Sequence, residues 1–437
     1  MPSSPVTYKQ LLYFFLPLGL SATLVTLSHV IINSTLSRAD NPELVIASYA
    51  LPMSLLAITE RPAVLLRQTC SALVRDRISF RAMSVVSTYV FICVLILGGI
   101  ISYTPVGEWV FIYVFGVEES LLEPIIHVYR ILMFVSIFSG IRCLFHGIII
   151  FNMRTKWLTI GMVIRLIAMY LLALYFITTD KVNSGQVGAI IFLVGMIIEA
   201  TISVWEGRSL LKKVIPEKAI GHPIETKKQI FGFYKPLLYS SGIAVIIGPA
   251  INTILGKTSD IHLAIASFAI AASLMQLVVS FFSYTHQIVL NFYPKNAAIV
   301  RRFSFIAGLI PAILIAILSY TPLGPWFMMN IMGVNQQLMQ ASLQTLRIFM
   351  ILTLAFPLLD YSNGLLMLRG QTKVMVWSQG ANMVTTLLTL AITIMLSPGW
   401  NAMIGALAQS LGTVAELTVV LYVLRMTSKS ERLALRA

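Results

Sequence analysis

The octapeptide SYTPVGEW at residues 102–109 returns as SYTPLGPW at residues 319–326. Six of its eight positions are identical, and the two copies lie 217 residues apart in a chain of 437 residues. Each copy directly follows a long apolar run. The pair therefore predicts a chain built from two related halves.

The similarity extends outward from the octapeptide over nearly the whole chain. A shift of 219 residues aligns Pro17 with Pro236, and a shift of 217 aligns Arg130 with Arg347. Further matches pair Asn33 with Asn252, Ala47–Ala50 with Ala266–Ala269, Gln68 with Gln287, Gly188-Ala189 with Gly405-Ala406, and Glu199 with Glu416. The repeat predicts a domain at 1–205, a basic cytoplasmic linker at 206–229, and a second domain with a short cytoplasmic tail at 230–437.

The composition indicates that both halves lie in a membrane. Hydrophobic residues make up 57% of the chain and charged residues only 11%, less than half the charged fraction of a soluble domain. The apolar runs are long enough to cross a bilayer as helices. We expect spans at 11–36, 44–68, 83–103, 125–150, 158–177, 187–205, 230–255, 262–290, 303–320, 342–367, 374–396 and 402–424. Two further apolar stretches, 109–115 and 326–332, are too short to span and are expected to form interfacial turns.

The predicted fold class is therefore an all-α polytopic membrane protein with twelve transmembrane helices in two six-helix lobes. Six spans per repeat give both halves the same orientation, so a pseudo-twofold axis along the membrane normal should relate them. Two such lobes with a cleft between them suit alternating access, and a channel is the less favoured alternative.

The basic residues predict the orientation. The formal net charge is +14, but the basic side chains lie between apolar segments, which favours membrane topology over nucleic-acid binding. With the N-terminus inside, 21 basic residues fall in inner segments and three, Arg38, Lys181 and Lys257, fall outside. We expect both termini in the cytoplasm, a plasma-membrane location and a monomer.

Enzyme motifs are not found in the sequence. It contains no P-loop, HExxH, GxSxG or Gly-rich dinucleotide turn, and its three cysteines show no metal-ligand spacing. We therefore expect no enzymatic activity, no resident metal and no cofactor, with transport coupled to H⁺ or Na⁺.

Short apolar motifs carry a resemblance to a known superfamily. Span one reads FFLPLG at 14–19, followed by Asn33 and Leu36. With six-plus-six spans, the chain resembles the multidrug/oligosaccharidyl-lipid/polysaccharide (MOP) exporter superfamily. Within it the chain is most similar to the progressive ankylosis family of transporters, through 15–19, 47–49, 54–55, 331–334 and 346–349.

This resemblance implies export of small anions such as pyrophosphate, nucleotides or citrate. The wider superfamily also includes drug/cation antiporters and flippases for lipid-linked sugars. The chain departs from the narrower family in span two, where Thr59–Arg67 reads TERPAVLLR. The family has a Gly before this proline and an Asp soon after it, whereas Arg67 falls on one of its basic positions.

Charged residues inside spans are the candidate site residues, because each costs about 2.5–3.5 kcal/mol at a bilayer centre. Eleven lie within or at the edges of spans: Glu60, Arg61, Arg67, Arg130, Arg142, Arg165, Glu199, Lys235, Arg347, Asp360 and Glu416. Glu60-Arg61-Pro62 is the sharpest signal, since Pro62 should kink span two. Arg61 could hold an anionic group beside a proton-sensitive Glu60, or the two could form a structural ion pair.

Arg142 and Asp360 occupy neighbouring positions in the repeat alignment. One hypothesis is that they form a gate or coupling pair that closes in one transport state, and unrelated pairing inside each lobe is the favoured alternative. His286 is the repeat mate of Arg67 and could couple to protons or be bonded structurally.

The remaining candidates are paired by the repeat. Asn33 and Asn252 could line the cleft or bond between helices. Arg130 and Arg347 are expected to snorkel to the outer interface. Glu199 and Glu416 should share a packing role inside each lobe, with proton coupling as the less favoured alternative.

The sequence thus predicts a secondary exporter of small anions. Basic residues outnumber acidic ones seven to four among the eleven intramembrane charges, which favours an anion-attracting cavity. A flippase for lipid-linked polyprenyl phosphate sugars or cell-wall and polysaccharide precursors is the first alternative. A drug/proton antiporter fits the charge count less well. The expected partners are the lipid bilayer and an anionic or lipid-linked substrate, with no nucleic acid.

Overall fold

The computed structural model describes residues 6–434 apart from residues 116, 118, 256, 332 and 333. Within this range, the side chains of residues 42, 43, 120, 249, 252, 261, 262, 331 and 428–434 lie outside the description. Met332 and Gly333, which belong to the predicted resemblance, therefore fall outside the described residues, as do Gly116, which the shift of 217 aligns with Gly333, and the side chain of Asn252.

Sixteen α-helices form the described part of the chain, which contains no strand. The helices of the first half are α1 (Tyr8–Leu36), α2 (Pro42–Thr59), α3 (Arg61–Leu73), α4 (Arg77–Tyr103), α5 (Pro105–Trp109), α6 (Glu119–Phe151), α7 (Lys156–Thr178) and α8 (Gly185–Lys213). Those of the second half are α9 (Lys227–Leu255), α10 (Ile261–Phe282), α11 (Thr285–Phe292), α12 (Ala297–Tyr320), α13 (Leu323–Trp326), α14 (Gln336–Leu368), α15 (Lys373–Leu396) and α16 (Ala402–Ala434). The predicted all-α polytopic fold class is confirmed.

The number of membrane-spanning helices agrees with the twelve predicted spans. Eleven described helices are long and apolar enough to cross a membrane, and the bent pair α2–α3 makes a twelfth if it is one span. Helices dominate because a bilayer supplies no water to satisfy backbone polar groups. The chain is an integral multi-pass membrane protein.

Span two is broken where the sequence predicts a kink. Helices α2 and α3 meet at Glu60 with a bend of 42°. Pro62 lies in the first turn of α3, where its missing N–H removes no helical hydrogen bond. The repeat counterpart, α10–α11, instead breaks around Ser283 and Tyr284.

The chain divides into two compact units. Unit 1 consists of Met1–Gly19 and Lys235–Ala437, and unit 2 consists of Leu20–Tyr234. Unit 2 has a core of buried apolar residues from α1, α2, α6, α7 and α8, including Ile32, Leu56 and Leu132. Unit 1 has its own core, including Leu346 and Phe349 of α14. The unit boundaries fall inside α1 and α9, so the predicted domain limits at 205 and 230 stay a prediction.

The repeated octapeptide forms the same corner in both units. Thr104 ends α4, and its hydroxyl accepts a hydrogen bond from Val106 N at 3.3 Å. Thr321 does the same for Leu323 N, also at 3.3 Å. A five-residue π-helix follows each corner, at Val110–Val114 and Phe327–Ile331.

An arginine from α6 or α14 holds each corner. Arg130 Nε donates to Ser102 O at 3.1 Å, and its guanidinium lies 5.0 Å from the ring centroid of Tyr103. Arg347 repeats this on Ser319 O and the following tyrosine, at 3.2 Å and 4.7 Å. A cation at these last carbonyls satisfies the C-terminal end of the preceding helix. Both arginines therefore bind a carbonyl group within their own unit. The prediction that their side chains snorkel to the outer interface did not include these contacts.

On the predicted inner side, Arg75 closes the end of α3. Its guanidinium lies 4.0 Å from the ring centroid of Phe151. Burial lowers the pKa of Arg75 to about 10, so the group stays charged at neutral pH. It donates to the carbonyls of Ser71, Ala72 and Val74 at 2.8–2.9 Å.

Asp76 and Arg77 fasten the start of the linker to unit 2. Asp76 caps α4 and accepts from Ala219 N at 2.9 Å. Burial alone would raise the pKa of Asp76, but the hydrogen bonds from Ala219 and Ser79 outweigh it and hold the pKa below its ordinary value. Arg77 pairs with Glu217 at 3.4 Å. This part of the predicted linker is therefore ordered against unit 2.

The glycine in each corner leads to a first prediction. A Cβ at Gly107 would overlap the carbonyl oxygen of Ile101, and one at Gly324 would overlap that of Leu318. We expect Gly107→Ala and Gly324→Ala each to lower stability by about 1–3 kcal/mol, because the end of the preceding helix must move. Thermal unfolding of the detergent-solubilised protein measures this.

Gly99→Ala is the matched control for this prediction. Gly99 lies in α4, close to the first corner, and a Cβ there meets nothing within 4 Å. Alanine also favours the helix there. Equal melting temperatures for all three variants would contradict the steric role of the corner glycines.

Candidate functional site

The most concentrated group of buried charges in unit 2 consists of Arg142, Arg165 and Glu199, here called the arginine cluster. The Glu199 carboxylate lies between the two guanidinium groups. Arg165 Nη1 donates to Oε2 at 2.8 Å, and Arg142 Nη1 donates to both oxygens at 3.1 and 3.2 Å. Helices α6, α7 and α8 each supply one member, so their packing positions the cluster.

The three side chains of the arginine cluster sum to one positive charge, because one carboxylate faces two guanidinium groups, and the carboxylate of Glu60 also acts electrostatically on Arg165. Arg165 is 1% exposed, and its Nε and Nη2 have no hydrogen-bond partner among the described residues. The ring of Phe192 lies 5.0 Å from this guanidinium and also stacks on His29. Arg142 is more accessible, with 11% of its side chain exposed. The cluster can attract an anion, and Arg142 is its most reachable member.

Unit 1 keeps the carboxylate but not the arginines. Glu416 of α16, the repeat mate of Glu199, accepts a hydrogen bond from Asn382 Nδ2 of α15 at 2.7 Å. The amide of Gln379 lies against the same carboxylate. The shift of 217 residues places Arg165 on Asn382, so the same two helix positions form the contact in both units.

In unit 1, two of the predicted candidates, His286 and Asp360, contact each other. His286 Nδ1 of α11 lies 2.9 Å from Asp360 Oδ1 of α14, and the backbone N–H of His286 donates to Asp360 Oδ2 at 2.8 Å. The contact fixes the start of α11 immediately after the break from α10. Asp360 therefore holds both the side chain and the backbone of His286.

Glu60-Arg61-Pro62, the candidate segment of span two, lies at the break between α2 and α3. Glu60 is half-buried and Arg61 is exposed, and among the described residues neither forms an ion pair. Tyr234 donates its hydroxyl to Pro62 O at 2.8 Å. Arg67 is half-buried on α3 and close enough to act electrostatically on the buried His146. The alternative of a structural ion pair between Glu60 and Arg61 is not the arrangement seen.

The predicted Arg142–Asp360 pair has other partners in this structure. Arg142 binds Glu199 and Asp360 binds His286, each within its own unit. This arrangement corresponds to the alternative of pairing inside each lobe. Alternation between partners in two transport states stays a prediction.

Asn33 is exposed on α1.

Sequence reasoning named Arg165 among the eleven intramembrane charges without assigning it a role, and it did not single out Asn382 or Gln379. The repeat alignment contained the signal, because it places Arg165 on Asn382 beside the conserved spacing of Glu199 and Glu416. Among the described residues, no three His, Cys, Asp or Glu side chains converge as a metal site would require.

The two glutamates lead to a second prediction. Glu199→Gln leaves two buried guanidinium groups without a counter-charge, which should cost about 3–5 kcal/mol. Glu416→Gln keeps amide partners that an amide can still bind, so we expect a much smaller effect. Thermal unfolding in detergent compares these repeat mates directly. If both variants melt together, the ion pairs of the arginine cluster do not stabilise unit 2.

Comparison with solved structures finds the same fold in known transporters. One is an outward-facing multidrug resistance MATE family transporter of the MOP superfamily, with a TM-score of 0.74, 16% identity and 96% of both chains covered. Another is a MOP superfamily transporter from Pyrococcus furiosus described as having a binding pocket of reverse polarity, with a TM-score of 0.74, 15% identity and 96% of both chains covered. A third is MATE in a bent conformation, with a TM-score of 0.76 and 14% identity over 98% of this chain and 97% of that one.

No protein-family model matches the sequence, and a search of curated proteins gives no match. The resemblance to the progressive ankylosis family therefore stays a prediction. Over nearly its whole length, the chain has the fold of MATE transporters of the MOP superfamily.

Proposed function

We propose that this protein is a secondary exporter of anionic substrates that works by alternating access and is driven by an ion gradient. The substrates we favour are small soluble anions of the pyrophosphate, nucleotide or citrate type. The observation that carries the proposal is the pair of guanidinium groups that the arginine cluster holds inside a fold shared with transporters.

The excess charge is costly to keep inside the membrane, so it calls for a reason. A structural ion pair would be complete with one arginine for Glu199, yet the cluster has two. Arg165 is closest to the carboxylate and nearly inaccessible, whereas Arg142 retains partial exposure. This division suits one arginine that holds the carboxylate and a second that meets an anion.

The fold supports a transporter, but it does not determine the charge of the substrate, which depends on the side chains that meet it. One protein of this architecture is described as a multidrug resistance transporter. The Pyrococcus furiosus transporter is described as having reversed pocket polarity that suggests a different function. In this chain, the cationic arginine cluster favours anions over cationic drugs.

The third prediction tests the excess charge directly. Arg142→Gln leaves a neutral Arg165–Glu199 pair, so we expect the protein to fold but to lose most anion transport. Reconstituted proteoliposomes measure uptake of radiolabelled pyrophosphate, ATP and citrate under imposed ion gradients. Arg81→Gln is the control, since Arg81 is an exposed arginine of unit 2 that pairs with Glu217 at 2.9 Å.

Further arms of this experiment separate the alternatives. The same vesicles are tested for flipping of a fluorescent lipid-linked diphosphate sugar and for uptake of a cationic dye. Lipid flipping without soluble-anion uptake would make the protein a flippase. Dye transport that survives Arg142→Gln would overturn the anionic assignment.

Arg61→Ala provides a fourth prediction, on the break in span two. Arg61 is exposed and makes no ion pair among the described residues, so its loss should leave the melting temperature unchanged. If Arg61 contacts the substrate, anion uptake should fall with a higher KM. Wild-type uptake kinetics in Arg61→Ala would remove Arg61 from the substrate path.

A further inference from the structure

The two units place a glutamate in the same framework but surround it differently. In unit 2, Glu199 of α8 bonds Arg165 of α7. In unit 1, Glu416 of α16 bonds Asn382 of α15, at the repeat positions of those two residues. The position of Arg142 becomes Leu359 in unit 1. Unit 1 has therefore kept the carboxylate while replacing both of its cations with neutral side chains.

The carboxylate of Glu416 is enclosed. The residue is 7% exposed, and α15 and α16 pack so closely that a Cβ at Gly412 would overlap the side chains of Thr386 and Asn382. A carboxylate enclosed in this way without a cation costs free energy that a bound proton removes. The enclosure of the Glu416 carboxylate therefore favours binding of a proton.

Other charged groups on the neighbouring helices are engaged elsewhere or lie away from Glu416. On α14, Arg347 binds the corner and Asp360 binds His286, and Tyr361 packs on Tyr293. The remaining titratable groups are Lys373 at the start of α15, Tyr422 and Arg425 on α16, and four groups whose side chains lie outside the description, His262 on α10 and Lys429, Glu431 and Arg432 at the end of α16. Among the described residues, no charge–charge interaction reaches Glu416.

Gln379 is placed to respond to that proton. With its nitrogen turned toward Glu416, the amide donates to Oε1 at 3.0 Å and to Oε2 at 3.1 Å. With its oxygen turned there, the amide can only accept, which requires a protonated carboxyl. One rotation of the Gln379 amide therefore converts the site between a form that fits the carboxylate and one that fits the acid.

We propose that Glu416 binds and releases the proton that drives transport, with Gln379 reversing its amide between the two forms. Proton uptake places an O–H on Glu416 that donates to Gln379 Oε1, and release returns a carboxylate that accepts from Gln379 Nε2. Asn382 donates to the other oxygen throughout. This inference rests on the proposed function for its role in transport, but proton binding itself can be tested without a substrate.

Infrared difference spectroscopy on the purified full-length protein tests proton binding. A carboxyl C=O band should disappear from the wild type between mildly acidic and mildly alkaline buffer, and Glu416→Gln should lack this band. Glu206→Gln is the matched control, because Glu206 is also buried but pairs with Arg154 at 3.1 Å. We expect this control to keep the band.

A second variant keeps the test decisive if Glu416→Gln fails to fold. Gln379→Leu removes the acceptor for the protonated carboxyl, so the band should remain but move in frequency. A band that is unaffected by both Glu416→Gln and Gln379→Leu would overturn the proposal.

Transport separates this inference from the proposed function. In proteoliposomes, a pH gradient should stimulate anion uptake by the wild type, and Glu416→Gln should show only the uptake measured without a gradient. Gradient stimulation that survives Glu416→Gln would overturn the coupling role and leave anion transport intact. A Glu416 band in a protein that moves no anion would overturn the proposed function and leave proton binding intact.

Discussion

A charge inside a membrane protein is stable only where another group balances it, and this constraint shapes both units around the glutamate of their last helix. Unit 2 balances Glu199 with two arginines from neighbouring helices. Unit 1 surrounds Glu416 with amides. Since the backbone is satisfied within each helix, these side chains supply polar contacts between helices.

Much of the fold could be predicted from the sequence, because length and hydropathy alone determine where helices can cross a bilayer. The repeated octapeptide predicted two related halves, and Pro62 predicted the bend after Glu60. The different break before α11 was not predicted, because no proline precedes it. The sequence left the partner of Arg142 open between Asp360 and a group of its own lobe, and in the structure Arg142 binds Glu199. That choice depends on how each helix is rotated about its axis, which hydropathy does not determine.

The two units carry different chemical groups at the same place in the repeat, and a coupled transporter needs both kinds. The arginine cluster provides positive charge in unit 2, and the Glu416 site provides a neutral setting for a carboxylate in unit 1. One duplicated framework thus supports a cationic and a neutral environment for the same carboxylate. The two differ at two positions, where Arg165 and Arg142 of unit 2 correspond to Asn382 and Leu359 of unit 1. The corner arginines Arg130 and Arg347, by contrast, make the same contacts in both units. The corner therefore serves architecture, whereas the glutamate framework has diverged.

The contacts of Arg75 and Arg77 have a consequence for how membrane orientation is studied. Positive charges on inner loops are usually treated as equivalent to one another, because the excess of Lys and Arg in these loops sets the orientation of the protein in the membrane. Arg75 also closes the end of α3 through three carbonyls, and Arg77 donates to the carbonyls of Leu211 and Lys212. Removing these charges to invert the protein would therefore also remove the side chains that close this end of unit 2. A charge-reversal experiment on this chain would report on topology alone only at arginines outside this group.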